Sequence, residues 1–403
     1  MTKSSLTLPA ILVLALLSAV APLATDMYLP GFPVMAEDLG ASATGIQMTL
    51  TSFLLGLALG QLLIGPLSDS YGRRKPLLIG TGVAILSSLL ITVAPNVETL
   101  TVLRVFQGLG GAAGVVLSRA VISDRSTDAV SSARLFQIMM VIGGLAPVLA
   151  PLIGTGVVSV FGWRMVFAVI ALLSLISFVG ILRAVPESLP VEARNSGGFA
   201  ALRQGMGTVL GNRLYLGYTL TVGFSFMVMF GYISASPFVF QGVLGLSPLA
   251  YSIAFGVNAI GIAVVSAISA KLVVRISPRR LTFVGLMVLI FGAVATLIAV
   301  ISGAGALFLL PAIFVSVSSL GIILGNASAL AIGQTPRQAG TASAVLGALQ
   351  FCFGALASPL VGAAGEGSAV PMALVMIAAA LLAFASYTLL TREEAGVDGV
   401  MDF

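Results

Sequence analysis

Residues 8–30 read LPAILVLALLSAVAPLATDMYLP, and the only formally charged side chain among them is Asp26. About 20 mostly apolar residues in a helix cross the hydrocarbon of a bilayer, so this run is long enough to span one. A carboxylate in that setting costs about 3 kcal/mol on insertion scales and is kept for ion handling or substrate binding unless a partner neutralises it. Asp26 is therefore the first candidate for proton coupling. The plainer alternative is a solvated helix end.

Eleven further runs resemble the first, near residues 44–66, 76–94, 98–121, 134–156, 163–184, 213–239, 247–270, 281–302, 306–332, 338–363 and 369–390. With 58% hydrophobic and 8% charged residues, a water-soluble fold lacks the polar surface to cover itself, so lipid is the expected solvent. The runs lack the period-2 alternation of barrel strands and read as helices, which satisfy their own backbone in lipid. The expected class is an all-α polytopic membrane protein with twelve transmembrane helices in two six-helix bundles.

The basic residues orient the chain. Of the 19 Lys and Arg, all but Arg104 and Arg164 fall on the side of the N-terminus, which the positive-inside rule places in the cytoplasm with the C-terminus. The net charge of +5 is then a topology signal scattered over separate loops and gives no reason to expect nucleic acid. Lys3, the apolar run and Ala19-Val20-Ala21 imitate a secretory signal, but cleavage would strand the basic loops on the wrong side and is not expected. No histidine and one cysteine, Cys352, leave no internal disulfide and no ordinary zinc or copper site, and no cofactor is expected.

The longest polar stretch, 185–212, contains Glu187-Ser188-Leu189-Pro190 and then Phe199-Ala200-Ala201-Leu202-Arg203. It reads as a cytoplasmic linker with a short surface helix between bundles 1–184 and 213–390, with 391–403 a cytoplasmic tail. A weak repeat supports two similar halves. Gly72-Arg73-Arg74-Lys75 after span 2 matches Ser277-Pro278-Arg279-Arg280 after span 8, though the second copy lacks an acid.

The loop Gly65-Pro66-Leu67-Ser68-Asp69-Ser70-Tyr71-Gly72-Arg73-Arg74-Lys75 resembles the G-x-L-x-D-x-x-G-R-(R/K) loop between helices 2 and 3 of the major facilitator superfamily. Gly65 and Gly72 suit close approach and a tight turn, Asp69 can face a helix N-terminus, and Arg73 can pair with a carboxylate such as Asp124 at the end of span 4. The resemblance implies a latch that joins the halves in the outward-open state, its acid facing the start of span 11 near Gly340-Thr341. A basic anchor would account for Arg73 to Lys75 but not for Asp69 or the glycines.

Arg104, in Leu103-Arg104-Val105-Phe106-Gln107-Gly108, is similar to the superfamily's R-x-x-x-G motif of helix 4, associated with proton coupling in drug antiporters. It lies about six residues from the outer end of its span and Asp26 about four to seven, roughly 6 to 10 Å deep, so an ion pair or water bridge between them is allowed. Snorkelling to the interface is the alternative for Arg104. Ala24-Thr25-Asp26-Met27-Tyr28-Leu29-Pro30-Gly31-Phe32-Pro33 resembles the D-M-Y-L-P-x-x-P signature of the Bcr/CflA group of drug exporters, and the likeness runs along essentially the whole chain. Ala146-Pro147-Val148-Leu149-Ala150-Pro151-Leu152-Ile153-Gly154-Thr155-Gly156 is similar to the antiporter motif G-P-x-x-G-G, with Ala150 and Thr155 as departures; Pro147, Pro151, Gly154 and Gly156 are its candidate residues.

Candidate cavity residues are Tyr28, Gln47, Phe224, Phe226, Met227, Phe230, Asn258, Asn326 and Gln350, because aromatic and methionine side chains adapt to lipophilic ligands and polar groups orient them. Facing lipid or tying helices together are the alternatives. The resemblance implies a monomeric exporter in the bacterial inner membrane that exchanges small lipophilic antibacterials, of phenicol or bicyclomycin type, for protons. Protonation of Asp26 would loosen its attraction to Arg104 and favour reorientation. A proton-coupled importer of a metabolite is the alternative in the same fold, disfavoured by the scarcity of polar groups. An enzyme acting on lipid lacks an acid and base pair.

Overall fold

The computed structural model describes residues 7–125, 129–194, 198–362 and 367–392. Lys3, linker residues 195–197 and tail residues 393–403 lie outside the described residues. Among the described residues all regular structure is helical, and twelve helices are long and apolar enough to cross a bilayer. They are α1 (Leu8–Asp38), α2 (Ala43–Tyr71), α3 (Arg74–Ile91), α4 (Val97–Arg125), α5 (Ala129–Phe161), α6 (Arg164–Ala184), α7 (Arg213–Val243), α8 (Pro248–Leu272), α9 (Pro278–Ile301), α10 (Ala306–Gly333), α11 (Pro336–Gly362) and α12 (Val370–Leu390).

The turns between them follow ordinary capping chemistry. The Ser42, Ser247 and Ser277 hydroxyls each accept a backbone N–H from three residues on, and Pro248 and Pro278 sit at the first helical position, where a missing N–H costs nothing. Gly72 turns the chain between α2 and α3 at φ +89°, a conformation that L side chains rarely adopt, and a Cβ there would run into the Glu187 carboxylate.

The first helix is longer than expected. Regular α-helix ends at Asp26, but a 3-10 turn at Leu29–Gly31 carries the chain into a second helical segment, Phe32–Asp38. Pro30 and Pro33 stop neither piece, because each stands near a helical N-terminus. Asp26 is thus twelve residues from the end of α1, about 18 Å if fully helical and deeper than the 6 to 10 Å expected.

Packing repeats with an offset of six helices. α1 lies against α4, α5 and α6 as α7 lies against α10, α11 and α12; α4 also takes α2 and α3, and α10 takes α8 and α9. Small residues make the closest approaches, which matters in lipid, where apolar contact alone gives helices no reason to associate. A Cβ on Gly56 of α2 would meet the backbone of Val105 and Leu109 in α4, and one on Gly108 would meet that of Phe53.

Between the first six and the last six helices, the described hydrogen bonds gather at the end opposite the Gly72 loop. Thr44 Oγ1 donates to Gly362 O (2.8 Å), Thr51 Oγ1 to Ala355 O (3.1 Å), Gln47 Nε2 to Ser234 O (3.0 Å) and Gln241 Nε2 to Pro30 O (3.2 Å). Thr155 meets Ser252 at 2.7 Å, and the Phe32 and Phe238 rings lie 5.9 Å apart. At the Gly72 end the linker helix Gly198–Leu210 lies across the two sets, Gly198 against Pro66 of α2 and Gly205 against Thr341 of α11. The bundle is therefore closed at the end away from the basic loops.

Candidate functional site

Asp26 ends the regular part of α1 where Gly154 of α5 lets the chain approach: a Cβ on Gly154 would collide with the carbonyl of Met27. The Asp26 carboxyl is 4% exposed and its Oδ1 has no hydrogen-bond partner among the described residues. Buried polar atoms are nearly always bonded, so an unpaired carboxylate oxygen here marks a group whose partner is a proton, a ligand or a residue that arrives in another state.

The expected ion pair with Arg104 is not formed. Arg104, fully buried, donates from Nη1 to Ala24 O (3.0 Å) and Gln107 Oε1 (2.6 Å) and from Nε to Thr49 O (3.3 Å). Its guanidinium carbon also stands 4.2 Å from the Phe53 ring centre, 4.4 Å from Tyr28 and 5.7 Å from Phe167. Three carbonyl-type acceptors and three ring faces hold the cation without a carboxylate and without snorkelling, with Nη2 left unpartnered among the described residues. Gln107 passes the contact on, donating to Ser88 Oγ of α3 at 2.7 Å. Neither Gln107 nor Ser88 was singled out from the sequence, although Gln107 stands three residues after Arg104, on the same helix face.

The groups that feel the Asp26 charge are tyrosines, one on its own segment and two across the interface. Tyr28, Tyr232 of α7 and Tyr251 of α8 are all within its electrostatic reach. Asn258 Nδ2 donates to the Tyr232 hydroxyl at 2.9 Å, leaving its own Oδ1 unpaired, and the Tyr232 ring stacks on Phe255. Tyr251 was not among the sequence candidates, and nothing in the local pattern distinguishes it or Tyr232 from lipid-facing aromatics.

The other cavity candidates divide by contact. Tyr28 is fully buried, its hydroxyl 3.2 Å from Thr49 Oγ1, and serves as a wall for Arg104. Gln47 ties α2 to α7, and Asn326 ties α10 to Ser269 of α8 at 2.8 Å, so both join helices. Phe224 packs on Phe353 and Phe226 on Phe230 and Phe351, an aromatic seam between α7 and α11 that Gly354 admits. Met227 is buried beside this seam and Gln350 is half-buried on α11. In α5, Pro147 and Pro151 lie inside the helix, Pro151 O accepting from Ser252 Oγ, while a Cβ on Gly156 would meet nothing.

At the Gly72 end, Arg73 donates to Asp69 Oδ1 (2.5 Å), Ser68 Oγ (2.6 Å) and Asp124 Oδ2 (3.1 Å). Glu187, just after α6, completes the cluster by accepting the backbone N–H groups of Arg73, Arg74 and Leu189, with Arg194 3.9 Å away. Partial burial works against the Glu187 charge, but those three amides and Arg194 outweigh it and hold the carboxyl below its ordinary range. Ser188 Oγ adds a bond to Asp124, and Arg125 donates to Glu187 O. Glu187 was read only as linker; its signal was a lone acid directly after a span. Asp69 turns to Arg73, Gly65 has open space beside it, and Thr341 faces Gly205, so here the acid is not seated on the start of α11. Arg164, the one basic residue assigned to the far side, pairs with Asp38 beside the Trp163 indole.

Residues 14–359 match the family profile described as Major Facilitator Superfamily. The chain is 38% identical over 386 residues to the uncharacterized MFS-type transporter YdgK of Bacillus subtilis (strain 168), covering 95% of each chain. It is 31% identical over 382 residues to a bicyclomycin resistance protein homolog of Haemophilus influenzae (strain ATCC 51907 / DSM 11121 / KW20 / Rd), covering 94% of this chain and 96% of that one. A bacterial homolog of the human lysosomal transporter Spinster, solved in an inward-facing and unoccupied conformation, superposes with a TM-score of 0.73 at 18% identity, covering 94% and 96% of the two chains. At that identity the likeness is one of fold.

Proposed function

We propose a proton-coupled antiporter for this chain, which belongs to the major facilitator superfamily and resembles its Bcr/CflA drug exporters. It carries small lipophilic antibacterials, of the phenicol or bicyclomycin type, out of the cytoplasm across the bacterial inner membrane. The observation that carries the proposal is Asp26, a buried carboxyl with an unpaired oxygen placed where the first six helices meet the last six. With the basic loops in the cytoplasm, the closed end is the outer one, and the state described here is inward-facing.

In this reading the units are 1–184 and 213–390, working as one monomer, with 185–212 as the linker. Asp26 takes a proton from outside when the outer end is open and carries it across as the bundle rocks. A drug entering from the cytoplasm binds against the protonated carboxyl and the aromatic seam of α7 and α11, and the proton leaves inward. Arg104 does not pair with Asp26; it fastens α1, α2 and α4 around the site. The Arg73 cluster holds the Gly72 loop while the inner end is open, and Asp69 is released to α11 when that end closes.

The test is drug-induced proton release from purified protein in weakly buffered detergent at fixed pH, using chloramphenicol and bicyclomycin. Wild type releases protons on binding and Asp26→Asn does not. Proton release by correctly folded Asp26→Asn, together with continued export, would place the coupling elsewhere.

A further inference from the structure

Asp26 and Tyr232 occupy matching positions in the two halves. The Phe32 and Phe238 rings meet at the closed end, and Asp26 and Tyr232 each lie six residues before those phenylalanines, on helices that Gln241 and Pro30 also tie together. Both side chains are buried, at 4% and 2% exposure, and they sit within electrostatic reach of each other. Their hydrogen-bonding needs are complementary. The Tyr232 oxygen accepts from Asn258 Nδ2, which orients the phenol and leaves its own proton without an acceptor among the described residues, while Asp26 Oδ1 lacks a donor. The other charged or titratable groups facing Asp26 are Tyr28 of its own helix, Arg104 of α4 and Tyr251 of α8. α6 carries only Arg164 and Arg183 at its ends, and α5 from 142 to 161 carries none. Arg104 is engaged through Nε and Nη1 and makes no bond to Asp26, although its Nη2 lacks a partner among the described residues; the Tyr28 hydroxyl is at Thr49, and the Tyr251 hydroxyl lies 3.4 Å from Ser236 Oγ.

We propose that Tyr232, oriented by Asn258, is the partner of Asp26 across the two halves, donating to the deprotonated carboxylate directly or through one water and so holding the outer end shut. An antiporter must reorient when it carries a proton or a drug and must not reorient empty, since an empty carrier that crosses both ways leaks protons. A bond made to the ionised carboxylate supplies that distinction. It is strong in the empty, deprotonated state, weakens when Asp26 is protonated and the acceptor charge is lost, and is displaced when a drug occupies the site. Tyr232 is thus a positioning residue for the transport reaction, and the inference rests on the antiporter reading above.

The test is proton leak into proteoliposomes loaded with a pH-sensitive dye, under a pH gradient with valinomycin and potassium balancing charge, and without drug. Tyr232→Phe keeps the ring that stacks on Phe255 and removes only the hydroxyl, and it raises the leak about tenfold, as loss of one charge-assisted hydrogen bond implies. Asn258→Leu raises it less, because the phenol remains but loses its orientation. Adding Asp26→Asn to Tyr232→Phe returns the leak to that of protein-free vesicles, since no proton is carried. A Tyr232→Phe leak equal to wild type, or one that survives Asp26→Asn, overturns the proposal. A parallel arm adds chloramphenicol to wild-type vesicles: absence of drug-linked proton movement there would count against the antiporter reading, while the leak arms still read the lock.

Discussion

Replacing Arg104 by alanine separates the arrangement seen here from an ion pair with Asp26. Arg104 makes three hydrogen bonds, and bonds from a charged donor contribute about 1.5 kcal/mol each at the low end, with about 1 kcal/mol more from the ring faces. Truncation also leaves Gln107 Oε1 buried without its donor, at about 1 kcal/mol. Against these, removing a cation from a membrane interior returns about 3 kcal/mol. The net destabilisation is about 3.5 kcal/mol, read as a drop in melting temperature of about 4 °C in detergent. The decisive measurement is a double-mutant cycle with Asp26→Asn. Because Ala24, Thr49 and Gln107 engage the guanidinium through Nε and Nη1 and no bond joins it to Asp26, the two effects on stability add to within about 0.5 kcal/mol. A coupling of 2 kcal/mol or more, with Arg104→Ala nearly harmless once Asp26 is neutral, would show that the two residues pair and refute the reasoning.

Gly154→Val places a branched side chain against the Met27 carbonyl, so α1 and α5 cannot keep their approach; export falls sharply while Gly156→Ala, with open space beside it, leaves export unchanged, and a vesicle transport assay on both checks this. Glu187→Gln weakens the clasp on the Arg73 and Arg74 amides, seen as lower hydrogen-exchange protection there at neutral pH. Since the folded Glu187 carboxyl titrates below its ordinary value near 4.5, the wild-type advantage is fully present above that pH and disappears as pH falls through the lower folded value. A wild-type advantage that persists unchanged far below pH 4.5 contradicts the assignment. A single cysteine at Gln204, exposed on the linker helix, is protected from an impermeant reagent in intact cells once Cys352 is replaced; labelling from outside would reverse the topology.

Much of the architecture was legible in the chain because a bilayer imposes a length and a polarity on every crossing, and those are local properties. The twelve crossings, the class and the likeness to the major facilitator superfamily come from runs such as 8–30 and from the Gly65 to Lys75 loop. Asp26 and Arg104 stood out for the same reason, as charges inside apolar runs. Where local rules misled, the cause was a contact across the bundle. The first apolar run was bounded at residue 30, yet the segment continues to Asp38, whose carboxylate is met by Arg164 and the Trp163 indole more than a hundred residues away. Matched depth suggested that Asp26 and Arg104 pair, but depth along a helix says nothing of azimuth. Only the packing of α1, α2 and α4 shows the guanidinium enclosed by carbonyls and rings, with no bond to the Asp26 carboxyl. Glu187 gains its role because the end of α6 comes to rest on the start of α3. Hydropathy decides which residues enter the membrane, since transfer free energy sums along one segment; which of them meet there depends on helix rotation and crossing, which many weak contacts settle together.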